Sequence, residues 1–296
     1  MSFSNHSELS RRRFGQFAFG ALAGMALPAS PFAQAKPNSK IKGVQLGAQS
    51  YSFRDRTLDE AIKGYVEVGI NSCEMWSGHA EPKGLNPNDL RKWRLSVSLD
   101  EFKAIRRKFD AAGVNLYAYN YSFREDFTDE EIERGFKMAQ ALGVKIITAS
   151  SNVTTAKRVD PFAKKYKIRV GMHNHSRIVA NEFATPDDFT NAMNGMSEYI
   201  CANLDIGHFT AAGFDAVDYL SKHHDRIVTL HIKDRKKNQG ENVIFGEGDT
   251  PIKPVLELLK KNKWKIPANI EYEYKAPDTI AEMKKCLTYC KQALGA

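Results

Sequence analysis

From Lys40 onward the chain changes periodicity at regular intervals: short β-type apolar runs trade places with longer runs whose apolar residues recur every three or four positions. The short runs are VQLGAQSYSF (44–53), INSCEMW (70–76), VNLYAYNY (114–121), VKIITAS (144–150), IRVGMHNH (168–175), YICANLDI (199–206), RIVTLHIKD (226–234) and ANIEYEY (268–274). Between them lie segments such as TLDEAIKGYVEVG (57–69), SLDEFKAIRRKFDAAG (98–113) and TDEEIERGFKMAQALG (128–143). Each opens on Ser or Thr, carries acids in its first turn and closes on Gly, which supplies an N-cap, complements the helix dipole and ends the helix. Eight strands alternating with helices predict a (β/α)8 barrel over residues 43–296, with a doubly wound open sheet as second choice. No G-x-G-x-x-G follows the first strand to favour the open sheet. The FGEGD run at 245–249 reads mainly as turn chemistry near the barrel mouth.

The first 35 residues have another character. SRRRFGQFAFGALAGMALPASPFAQA is a basic start, a mild Gly- and Ala-rich apolar stretch, and a small-residue end at Ala33-Gln34-Ala35. Ser10, Arg11, Arg12, Arg13 and Phe14 resemble a twin-arginine export motif. The expectation is a cleaved signal over 1–35, a linker over 36–42 and a periplasmic or otherwise extracytoplasmic barrel. An N-terminal membrane anchor is the alternative, against which the apolar run falls short of the roughly 20 residues of a spanning helix.

The formal charge of +8 falls to +6 without that segment, which holds three Arg against Glu8. DRKKNQ (234–239) and LLKKNKWK (258–265) are basic but lack interleaved aromatics, so solvated helix ends explain them and nucleic acid is not expected as a partner. The four cysteines form no C-x-x-C and no disulfide scaffold. A homo-oligomer is compatible with the sequence.

In a (β/α)8 barrel the C-terminal ends of the strands form the active face. Polar residues gather there: Glu74 with Trp76 and His79 after it, His173 and His175, Asp205 followed by His208, His231 and Lys233, then Glu271 and Glu273. His173 and His175 stand two apart, so on a strand both imidazoles point the same way and Asn174 points opposite. Asp205 sits between Leu204 and Ile206, and His231 and Lys233 alternate with Leu230 and Ile232. If the apolar set packs on the helices, the polar set lines the interior, where unpaired charges are costly and a divalent cation satisfies them together. His, Asp and Glu without Cys are the ligand mix of a catalytic Mn, Mg, Co or Zn ion. The blander reading pairs the same groups as internal salt bridges.

Residues 43–294 resemble the xylose isomerase-like TIM barrel superfamily, whose members include sugar phosphate isomerases and epimerases, inosose dehydratases and abasic-site endonucleases. The matching pieces are GAQSYSFRD (47–55), CEMWSGHAEP (73–82), NLDIGHFTAAG (203–213), HIKDR (231–235), FGEGDTP (245–251) and IEYEY (270–274). Epimerases of this group hold one metal by Glu, Asp, His and Glu from strands five to eight. The resemblance carries Asp205, His231 and Glu271 over as ligands, and His173 falls where the strand-five Glu would stand. His175 then reaches substrate, or the two imidazoles exchange roles. His208 and Arg235 match positions that contact substrate oxygens.

The chemistry implied is proton abstraction next to a carbonyl through an enediolate, on a non-phosphorylated sugar or sugar derivative. Candidate bases are Glu271, His175 and Glu74, with Lys233 stabilising charge or pairing with Glu273 beside Trp76 and His79 in the substrate site. Reprotonation gives isomerisation or epimerisation; expulsion of a β-oxygen gives a lyase or dehydratase. A non-catalytic sugar-binding barrel, with Tyr51, Trp76, Tyr117, Tyr119 and Tyr121 as stacking platforms, is the rival from another class. A phosphodiester hydrolase would need more metal ligands than this chain offers.

Overall fold

The computed structural model describes residues 36–296, so the proposed export signal lies outside the described residues. Eight parallel strands close on themselves: β1 (Val44–Gln49), β2 (Ser72–Trp76), β3 (Asn115–Asn120), β4 (Ile146–Ala149), β5 (Arg169–His173), β6 (Ile200–Asp205), β7 (Ile227–Ile232) and β8 (Ala268–Ile270). Each pairs with its neighbours in sequence, and β8 returns to β1 through Ile270 beside Ala48. This closure is the (β/α)8 barrel that the alternation predicts.

The helices start where their side chains dictate. α1 (Leu58–Val68) opens on a capping box between Thr57 and Glu60 and ends on Gly69 at φ 89°. α2 (Pro87–Ser96), a helix not anticipated from the sequence, is capped by Asn86 with Pro87 in its first turn. α3 (Leu99–Ala112) and α4 (Asp129–Ala141) are capped by Ser98 and Thr128. α5 (Thr155–Tyr166) and α6 (Pro186–Met193) follow. α7 (Ile206–Ala211) begins directly on Asp205, and α8 (Ala216–His223), α9 (Ile252–Asn262) and α10 (Thr279–Ala293) complete the ring. Among the described residues no helix is long and apolar enough to cross a membrane.

Four boundaries that bear on the site differ from the sequence expectation. Part of the segment expected as a linker is structural: Lys40–Ile41 pairs antiparallel with β1, and Ser39 is fully buried, donating to Leu46 O at 2.6 Å. The strand expected over 44–53 stops at Gln49, because Ser50–Phe53 turns into a 3-10 helix whose Tyr51 N donates to the Gln49 side chain. β5 ends at His173 and β8 at Ile270, so His175, Glu271 and Glu273 stand on the connections just above the barrel.

Candidate metal centre and active site

The ends of β5 and β6 are locked together by the residue between the two histidines. Asn174 is fully buried; its amide donates to Asp205 O at 3.1 Å and accepts from Asp205 N at 2.9 Å. Asp205 also caps α7, its Oδ1 accepting from His208 N at 2.7 Å. With Oδ1 spent there, Oδ2 is left for the barrel axis. In register with Asp205, His231 sits on β7, and Asn269 of β8 lies beside His231 in turn.

Four groups converge at this level. His173, Asp205, His231 and Glu271 each offer one atom such that all lie within 4.8 Å of one another. His173 Nδ1, Asp205 Oδ2, His231 Nδ1 and Glu271 Oε2 are all buried, and among the described residues none has a well-aligned hydrogen bond. Buried polar atoms short of partners are costly, and four from the ends of β5 to β8 facing one point are what a cation satisfies. Lys233 meets part of this demand: its Nζ lies 3.1 Å from Asp205 Oδ2, 2.7 Å from Glu271 Oε2 and 2.5 Å from Glu273 Oε2. An ammonium has three N–H groups and here three carboxylates, so it answers neither imidazole. The donor set of two imidazoles and two carboxylates therefore fits a divalent ion.

Glu74 occupies a different place from that expected of a base. It is fully buried beneath the cluster and accepts from His231 Nε2 at 3.0 Å, Thr148 Oγ1 at 2.6 Å and Asn269 Nδ2 at 2.9 Å. A carboxylate only accepts, so Nε2 carries a ring proton and Nδ1 is the nitrogen turned toward the cluster. His231 Nδ1 stands 3.1 Å from Glu271 Oε2. Burial alone would lower the His231 pKa, but Glu74 and Glu271 reverse this and hold it well above the usual value, so without a cation Nδ1 also carries a proton, directed at Glu271, whose place a metal ion would take. Burial would likewise raise Glu271, and Lys233 followed by His231 hold it well below. Burial pushes the Asp205 carboxyl up to about 6 against the pull of Lys233. His173 is held well below the usual imidazole value by burial, then by His231 and His175, and stays a neutral lone-pair donor.

Above the cluster lies a cavity of about 370 Å³. One wall carries His173, His175, His208, Lys233, Glu271 and Glu273; the other carries Tyr51, Trp76, Asn120, Ser122, Arg124 and Ser150. The His173 and His175 ring centres are 5.0 Å apart, so the imidazoles do share a face, although only His173 is on the strand. Burial and then Lys233 lower the His175 pKa and that of His208. Arg235 is not part of this wall; its Nη1 donates to His208 Nδ1 at 2.6 Å and to Ser176 Oγ at 2.9 Å. Because Nδ1 accepts, the proton of the neutral ring sits on His208 Nε2. Lys233 Nζ lies 3.1 Å from that nitrogen but spends its own protons on the three carboxylates, so the Nε2 proton can be offered to a ligand.

Two further expectations are corrected by the geometry. His79 is turned away from the cavity, its ring nitrogens engaging Ser50 Oγ at 2.8 Å and Phe53 O at 3.3 Å. Of the aromatic platforms only Tyr51 and Trp76 reach the cavity, packed edge-on at 5.1 Å, while Tyr119 and Tyr121 are core. Tyr117 is spent inside the barrel against Thr229 Oγ1 at 2.6 Å. The FGEGDT loop turns its amides onto the Asp234 carboxylate, from Gly246 N at 2.8 Å, Gly248 N at 3.0 Å and Thr250 N at 3.2 Å, which makes it turn chemistry.

Sequence reasoning missed the role of Gly207. A Cβ there would meet the Lys233 side chain and lie 2.8 Å from Lys233 O, so glycine is what lets α7 pass this lysine. The DIGH spacing alone carries no such signal.

The chain is 19% identical over 311 residues to an inosose dehydratase of Mesomycoplasma hyopneumoniae, covering 86% of this chain and 98% of that protein. It is 23% identical over 239 residues to a putative L-ribulose-5-phosphate 3-epimerase of Shigella dysenteriae, covering 79% and 76%. The solved apo structure of a 3-keto-D-glucoside 4-epimerase from E. coli superposes with a TM-score of 0.65 at 14% identity, over 84% of this chain and 99% of that one. That likeness concerns the fold. Residues 65–290 match the xylose isomerase-like TIM barrel family, and the chain belongs to it.

Proposed function

We propose that the protein is an exported, divalent-metal-dependent sugar isomerase or epimerase that abstracts a proton next to a carbonyl of a non-phosphorylated sugar or sugar derivative. The observation that carries this reading is the convergence of His173, Asp205, His231 and Glu271 on one point at the floor of the cavity, where Lys233 meets the two carboxylates but neither imidazole. The dehydratase and epimerase activities of the relatives support an enzyme of this general kind. The leader with Arg11, Arg12 and Arg13 supports export.

When bound, a Mn, Mg, Co or Zn ion would polarise the substrate carbonyl and offset the charge that develops on its oxygen. Glu271 is the base, because it is ionised and lines the cavity. His175, on the connection after β5, lines the cavity with Glu271, is neutral and is the second proton carrier. Lys233 adds a fixed positive charge against the same wall. His208, oriented by Arg235, donates its Nε2 proton to a substrate hydroxyl or carbonyl oxygen. Trp76 and Tyr51 cover the sugar's apolar face.

A second reading is elimination of a β-oxygen, as in a lyase or dehydratase. It is favoured by His175, an imidazole outside the ligand set that lines the cavity beside His173 and can hand a proton to a leaving oxygen. The test is to strip the protein with chelator, add back each metal, and follow solvent deuterium into candidate keto sugars. Exchange with retention of all substituents supports isomerisation or epimerisation, and loss of a hydroxyl or glycosyl group supports elimination. Tight sugar binding without exchange refutes both and leaves a binding protein.

A further inference from the structure

The cavity continues away from the metal ligands to a wall that the proposed proton transfer does not use. Three cations touch the site, and two are occupied. Lys233 is held by three carboxylates, and Arg235 by Gly240 O at 3.0 Å together with His208 and Ser176. The third, Arg124, is solvent-exposed at the edge of the cavity, and its guanidinium makes no ion pair or side-chain hydrogen bond among the described residues.

Its turn is built to leave it so. The acids that follow Arg124 in sequence are engaged elsewhere: Glu125 accepts from Asn181 Nδ2 at 2.7 Å and Thr154 Oγ1 at 2.5 Å, and Asp126 pairs with Arg91 at 3.0 Å. Arg158 donates to Glu125 O at 2.9 Å, and Phe127 N closes the turn on Arg124 O at 3.2 Å. These bonds pin the backbone on both sides of the arginine. Beside it, Ser150 N donates to Ser122 Oγ at 3.1 Å, which leaves the Ser122 hydroxyl proton free to donate into the cavity.

At the other end of the cavity, Lys233 is matched by Asp205, Glu271 and Glu273, so that end leaves no cation free for an anionic group. Nothing on the far wall, among the described residues, compensates Arg124. A planar fork of N–H donors flanked by hydroxyls suits a carboxylate, which it grips with two parallel hydrogen bonds; a doubly charged phosphate generally calls for more than one cation or a helix N-terminus.

We propose that Arg124, with Ser122 and Ser150, forms a carboxylate-binding subsite at the end of the cavity remote from the metal ligands, so that the substrate is a sugar acid. This rests on the reading of the cavity as a sugar site, and the test separates the two. Binding of D-glucuronate, D-glucose and D-glucose 6-phosphate to the manganese-loaded protein is measured by NMR titration. D-Glucuronate is expected to bind about ten-fold more tightly than D-glucose, the size of one charged hydrogen-bonded contact. Arg124→Gln should bring its affinity down to that of D-glucose, and Arg124→Lys should restore part of the gain. Equal affinities, no measurable D-glucuronate binding, or a preference that survives Arg124→Gln overturns the proposal. Tighter binding of D-glucose 6-phosphate than of D-glucuronate overturns the carboxylate assignment in favour of phosphate. If the preference is present but no sugar acid exchanges deuterium, the subsite stands and the proposed reaction falls. Exchange on neutral sugars without the preference has the opposite meaning: the reaction stands and the subsite falls.

Discussion

Glu74→Gln changes one atom at a residue that no substrate can touch, yet it should weaken metal binding. Every partner of the carboxylate that lies within 3.0 Å is a donor: Thr148 Oγ1, Asn269 Nδ2 and His231 Nε2, with Gln49 Nε2 further off at 3.4 Å. A glutamine brings an NH2 group into this all-donor shell. Thr148 Oγ1 and Asn269 can turn to accept, but His231 Nε2 lies 3.0 Å from both carboxylate oxygens, so the new NH2 faces it whichever way the amide turns, and His231 yields by moving its proton from Nε2 to Nδ1. That removes the lone pair His231 offers beside Glu271. Losing such a carboxylate–imidazole contact costs about 10- to 100-fold in metal affinity, or about 1.4–2.7 kcal/mol. The assay is a cobalt or manganese titration of wild type and variant, with histidine ¹⁵N shifts to read the tautomer and urea unfolding to verify the fold. An unchanged Kd together with a ring proton still on Nε2 would falsify the reasoning. Glu74→Asp, which keeps the acceptor but shortens its reach, should fall between the two.

The remaining predictions concern the same wall of the barrel. Asp205→Ala removes a ligand and the α7 cap, so metal should be lost on desalting, with about 1 kcal/mol less stability in the metal-free protein; metal content and urea denaturation measure these, and activity retained without Asp205 would refute the assignment. Lys233→Met frees Asp205 Oδ2 and Glu271 Oε2 from a competing ammonium, so metal should bind more tightly while the metal-free fold loses about 3–5 kcal/mol through unpaired buried carboxylates; both are read from thermal melts with and without manganese. Gly207→Ala places a methyl group against Lys233 and should cost about 1–3 kcal/mol through overpacking, with a wild-type midpoint in urea counting against it. Manganese at 100 times its Kd should stabilise the wild type by about 2.7 kcal/mol, and a melting temperature indifferent to manganese would argue against the site.

The alternation of strand and helix, the capping residues Thr57, Ser98 and Thr128, and the C-terminal glycines were legible in the sequence because they are local. Each depends on side chains within one or two turns of the backbone they cap. The candidate ligands were legible too, since strand parity sends His231 and Lys233 to one face and Leu230 and Ile232 to the other. Parity stops at the strand ends, however. It could not say that β5 closes at His173, that Asn174 staples Asp205, or that His79 turns back onto Ser50 and Phe53.

What the sequence determined by itself is therefore the barrel and the set of polar residues at its mouth. The tertiary structure decided their roles. Glu74 and His231 stand 157 residues apart, and only closure of the barrel turns a candidate base into the group that sets a ligand's tautomer. Among the described residues the Arg124 guanidinium has no partner, while Glu125 and Asp126 find theirs on other segments. Whether a charged side chain is spent or available depends on distances across the fold, and local sequence pattern holds no record of those.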